Sequence, residues 1–124
     1  MAKEVSKEIV VGELRYRIKA VAREGRWVAA AERAQTGERF GVECTGDTDA
    51  VATERMAGWL DWQHQHSVAL EALQRAERAY HRNLAANTLA SWPDERSLEA
   101  QREALEAVDR ARLRLDAIRA HRPL

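Results

Sequence analysis

Residues 14–34 read LRYRIKAVAREGRWVAAAERA, and the alternation at their start decides the fold. Leu14, Tyr16, Ile18, Ala20 and Ala22 alternate with Arg15, Arg17, Lys19 and Val21. A period of two puts the first set on one face of a strand and the second on the other, so 14–22 predicts a strand buried on one side. Glu24 and Gly25 then form a turn, 26–34 gives a second strand led by Trp27 and Val28, and Thr36 and Gly37 turn the chain again. A third strand follows over 39–45, with Phe40, Val42 and Cys44 on one face. The expected product is a three-stranded antiparallel meander. Upstream, Ile9, Val10 and Val11 either extend the first strand through a bulge at Gly12 or form a loose arm, and the alternation leaves both open.

Downstream the period changes. Gly46, Asp47 and Thr48 end the sheet, and Asp47 or Thr48 supplies an N-cap. Met56, Trp59, Leu60, His66, Leu70, Leu73, Ala76, Tyr80 and Leu84 then recur at steps of three and four, which predicts one helix over about 48–87. Ser91, Trp92, Pro93 and Asp94 interrupt it with a capping-box spacing. A second helix carries Leu98, Leu105, Val108, Leu115 and Ile118 until Pro123 ends it. A short connection makes the two helices an antiparallel hairpin whose seam is read as Leu70, Leu73, Tyr80, Leu84, Leu105, Val108, Leu115 and Ile118. The expectation is an α+β protein and one domain over 1–124: the meander in 1–46, the long helix in 47–90 and the C-terminal helix in 91–124.

Composition narrows function more than it names it. The chain has 124 residues, and its 20 Lys and Arg balance 20 Asp and Glu, so bulk charge gives no argument for nucleic acid. No apolar run is long enough to span a bilayer and the opening residues build no signal-peptide core, which places the chain in the cytoplasm, away from membranes. The lone Cys44 makes no internal disulfide. His64 and His66 project about 200° apart on a helix, and Asp61 with His64 has no second ligand pair, so no metal or other cofactor is expected. No phosphate loop, nucleophile elbow or ordered triad occurs, so no catalytic residue is assigned and the chain is read as a non-enzyme.

Two binding surfaces emerge instead. Four tryptophans in a chain with one Phe concentrate burial energy. Trp59 and Trp62 are expected to close the sheet, while Trp27 and Trp92 are candidate anchors for a partner protein. Arg15, Arg17, Lys19 and Arg23 share the polar face of the first strand, a row able to straddle phosphates or to sit as a solvated face balanced by Glu13, Glu32 and Glu43. The apolar flanks of the hairpin, among them Ala69, Ala72, Ala79, Ala107, Leu113 and Ala117, favour a homodimer that buries them as a four-helix bundle. The first expectation is therefore a homodimeric protein-interaction module that presents its sheet to a partner, with nucleic-acid binding as the alternative.

The stretch from Tyr16 through EGRWVA to GDTDAVA is similar to the opening of HicB-like antitoxins. Trp27, Val28 and Ala29 match the start of that family's second strand, and Gly46, Asp47 and Thr48 match its turn into the helix. The family's Gly-Cys loop is replaced here by ERAQTGERFG, and its small DNA-binding end by a helical hairpin. The arm-binding domains of tyrosine integrases look similar through GRWVA, TGERF and a helix ending in Trp59-Leu60. Both resemblances lie within residues 14–62 and imply a strand-strand-strand-helix unit.

Overall fold

The computed structural model describes residues 3–123. It is an α+β chain: β1 (Glu4–Val11), β2 (Leu14–Arg23), β3 (Arg26–Arg33), β4 (Arg39–Gly46), α1 (Asp49–Leu89) and α2 (Glu95–Ala120). The sheet is an antiparallel meander of four strands in the order β1-β2-β3-β4, one more than the sequence predicts. The added strand is β1, joined to β2 by a two-residue turn at Gly12 and Glu13 in place of a bulge or an arm. Gly12 has φ +64° and Glu13 does not share the positive φ, the pattern of a type II′ hairpin turn. In β1 the period is masked. Val5, Lys7, Ile9 and Val11 face the helix while Glu4, Ser6, Glu8 and Val10 face away, so each face mixes charged and apolar residues.

The β2–β3 turn at Glu24 and Gly25 has both residues at positive φ, the I′ geometry that matches the strand twist. β3 and β4 pair regularly from Trp27↔Gly46 to Ala30↔Glu43, then shift register before Glu32↔Arg39. The helix side of the sheet and α1 bury Val11, Tyr16, Ile18, Ala20, Ala29, Ala31 and Cys44 against Ala52, Met56, Trp59 and Leu60. Alanines floor this core, so α1 can lie close to the strands. Phe40 links the aromatics, 5.6 Å from Tyr16 and 6.0 Å edge-on to Trp59 between ring centroids.

Thr48, one of the two predicted caps, accepts the Val51 amide on its Oγ at 3.1 Å. α1 is helical without interruption, including 63–68. α2 begins one turn later than the Ser91–Asp94 capping box implies. Asp94 is itself the N-cap, accepting the Ser97 amide at 2.7 Å, and Pro93 stands before the helix. The chain groups into two compact units, one built on the strands and α1 up to His64 together with Arg122, the other running from Gln65 to His121.

Candidate functional site

In the second unit α1 and α2 run antiparallel. Near the turn Asn87 donates to the Gln101 side chain at 2.7 Å and to the Ser97 carbonyl at 3.2 Å. At the other end Arg119 donates to His66 at 3.2 Å. The seam follows a strict alternation of four and three: Ala69, Leu73, Ala76, Tyr80, Asn83 and Asn87 against Ser97, Gln101, Ala104, Val108, Ala111, Leu115 and Ile118. Its buried centre is Ala69, Leu73, Val108 and Leu115, with Leu70, Tyr80 and Ile118 packed beside them. Leu84 and Leu105, read from sequence as seam residues, lie outside it and are 39% and 42% exposed. The half of the seam nearest the turn is polar, so the leucines that look like its continuation stand one position further round each helix.

That displacement builds a surface. In an antiparallel pair the positions just past the second apolar residue of each heptad share one flank. On this hairpin they are Leu70, Glu77 and Leu84 on α1, with Leu98, Leu105 and Arg112 on α2. Leu98 is 50% exposed, so three leucines at neighbouring levels face solvent together. The opposite flank carries Ala72, Ala79, Ala86, Ala100 and Ala107. Trp92, at the turn between the helices, is 92% exposed. Among the described residues the hairpin encloses a small core and displays a comparable set of large apolar side chains.

In the first unit the side of the sheet away from α1 is uncovered. Arg15, Arg17, Lys19 and Arg23 stand on it as read from the alternation, and three of the four hold carboxylates. Arg17 bridges Glu8 and Glu32 at 3.2 Å each, Lys19 meets Glu32 at 3.3 Å and Arg23 meets Glu43 at 3.9 Å. The row is an ion-paired ladder across four strands. The Lys19 hydrogen bond, reinforced by Arg17 and opposed by partial burial, holds the Glu32 carboxyl below its ordinary pKa. Hydrogen bonds from Ser97 do the same for Asp94.

Both carboxylates therefore contribute stability that is present above the ordinary carboxyl value and lost as pH falls through the lowered one. Acid unfolding followed by circular dichroism should begin as the pH drops below 4.5, the ordinary value for Glu32. Its pH dependence should become shallower in Glu32→Gln, and separately in Asp94→Asn. Unchanged profiles in both would contradict these ion pairs and the cap.

Other predicted positions are occupied by packing. Trp27 lies on the helix side of the sheet, half-buried against the core, and Trp62 carries the Arg122 guanidinium 5.4 Å above its ring. The His64 ring lies against Gly12, so close that a Cβ there would come within 2.6 Å of it. Cys44 is buried, and burial pushes its thiol pKa up, away from the thiolate that a nucleophile needs. Among the described residues no three acidic, His or Cys side chains converge on one point, and no helix is long and apolar enough to cross a membrane. Comparison with protein-family models, with curated proteins and with solved structures gave no match to this chain.

Proposed function

We propose that the protein is a non-enzymatic interaction module that homodimerises through the leucine flank of its helical hairpin and presents its sheet to a partner protein. The observation that carries this reading is the exposed trio Leu84, Leu98 and Leu105 on one flank beside a thinly buried seam. Two copies set side by side with their turns at the same end bring like levels together. Leucine then meets leucine, and Glu77 of each copy comes level with Arg112 of the other.

The double variant Leu84→Glu, Leu105→Glu is expected to halve the sedimenting mass. Glu77→Arg should weaken the dimer and Arg112→Glu added to it should restore it, with the helical circular dichroism of each variant unchanged, which separates lost association from lost folding. An unchanged mass in the leucine variant would overturn the reading.

The alternative, nucleic-acid binding through Arg15, Arg17, Lys19 and Arg23, is favoured by their placement on one uncovered sheet face. It is weakened by Glu8, Glu32 and Glu43 among them. Its signature is retention on immobilised DNA or RNA that falls steeply with salt and disappears in Arg15→Glu, Arg17→Glu.

A further inference from the structure

The two edges of the sheet are not alike. β4 slips in register beside Glu32, a twist that blunts an edge against further pairing. β1 pairs regularly with β2 from Glu4↔Val21 to Val11↔Leu14 and contains no Pro. The Ala22 amide donates to the Lys3 carbonyl at 3.2 Å, so the odd-numbered residues of this strand bond toward β2. Alternation in an antiparallel ladder then turns the N–H and C=O groups of Glu4, Ser6, Glu8 and Val10 outward.

Beside that edge runs a groove of about 450 Å³ lined by Val5 and Lys7 of β1 and by Asp49, Ala50, Thr53, Glu54 and Ala57 of α1. Its walls belong to the helix side of β1 and to one flank of α1, the place that the inward side chains of a fifth strand would fill. The lining is small and largely apolar. The surrounding charge is mostly negative: Glu4 and Glu8 on the outer side of β1, Asp49 and Glu54 across the groove, with Lys7 opposing them. Of these carboxylates only Glu8 holds an ion pair among the described residues, with Arg17. Arg15, Arg17 and Lys19 lie one strand further in, about 10 Å from where an added strand would run; Glu32 holds Arg17 and Lys19, and Arg15 stands opposite Val10 at the end of β1 away from Glu4.

A second copy does not suit this edge. Antiparallel self-pairing must keep the two faces in register, and the two registers with the greatest overlap set Lys7 opposite Lys7 or Glu8 opposite Glu8. We infer that β1 receives an extended basic segment of another protein as a fifth, antiparallel strand, with small apolar side chains in the groove and Lys or Arg on the outer side. This names the partner class for the sheet half of the proposed function and is independent of the hairpin dimer.

The test uses the full chain and a capped peptide of alternating valine and lysine, with alternating valine and glutamate as the counter-probe. The lysine peptide should bind, and bind more weakly as salt rises, and it should slow hydrogen exchange at the amides of Ser6, Glu8 and Val10. Ser6→Pro removes an outward donor without touching the β2 ladder or the charge. It should raise the Kd about tenfold, the size that one lost hydrogen bond carries.

Glu4→Lys with Glu8→Lys should shift preference toward the glutamate peptide. No binding, binding without protection of those amides, or equal binding by the Ser6→Pro chain would each overturn the inference. So would a fall in sedimenting mass caused by Ser6→Pro, because it would give the edge to a second copy. A monomeric chain that still binds the lysine peptide would refute the hairpin dimer and leave this site standing.

Discussion

Ile18→Ala is expected to lower the stability of the sheet unit by about 3–5 kcal/mol, the upper part of the range for truncating a buried aliphatic side chain. Ile18 has no exposed surface and sits mid-strand between Lys7 on β1 and Ala31 on β3. The cost of such a change depends on how far the neighbours can collapse into the space left behind. Here the surrounding floor is Ala20, Ala29 and Ala31, which have no side-chain reach to give. The cavity should therefore persist. Folded domains hold about 5–15 kcal/mol in total, so this one change removes a large share. Urea titration followed by tryptophan fluorescence reads it through Trp59, which is buried in the same cluster. Ile18→Val should cost about 1 kcal/mol and Leu14→Ala, at a 40% exposed position, less than that. A loss below about 1 kcal/mol for Ile18→Ala would show that the core is not packed as described.

Gly46→Ala is expected to cost about 1–3 kcal/mol although it adds a single methyl group. A Cβ at Gly46 would stand 2.7 Å from the backbone nitrogen of Ala52, 2.9 Å from Cγ1 of Val51 and 3.1 Å from the Val51 carbonyl carbon. A side-chain tip can rotate away, but the first turn of α1 cannot. The Ala52 amide is bonded to the Thr48 carbonyl at 3.1 Å and its side chain is wholly buried, so the helix must lift off the end of β4. Gly58→Ala gives the internal control. It lies inside α1 with nothing within 4 Å of an added Cβ, and should raise stability by about 0.5–1 kcal/mol through helix propensity. Opposite signs at the two glycines, measured by the same urea titration, would establish that strand and helix meet at Gly46. Two stabilising results would remove that contact.

What the residues revealed in advance follows from which signals were unmixed. β2 is legible because its inward residues are apolar without exception from Tyr16 to Ala20 and its outward neighbours are charged. β1 is not, because Lys7 points to the helix side and Val10 to the open side, so a count of apolar positions loses the period. The three-and-four spacing reveals the helices, but a hydrophobic count finds only part of their seam. Leu84 and Leu105 satisfy a hydrophobic count, whereas Asn83, Asn87 and Gln101 occupy the geometric heptad, Asn87 bonding across it to Gln101 and Asn83 back to the Ala79 carbonyl of its own helix. Heptad phase outranks hydrophobicity there, and the alternation continued from Ala69 and Leu73 leaves Leu84 and Leu105 on the exposed flank. The alternation alone puts the basic row of β2 on one face, where the register has it. Its neutralisation by Glu8 and Glu32 depends on strand register, which a single strand cannot disclose.

The leucine flank is the claim on which the proposed function turns, and the most direct measurement of it is the mass of the unmodified protein by sedimentation equilibrium across a range of concentrations. A dimer joined through the leucine flank gives twice the 14.1 kDa of one chain, held at high salt because the contact is chiefly apolar. A mass of 14.1 kDa that stays constant as the concentration rises would contradict it.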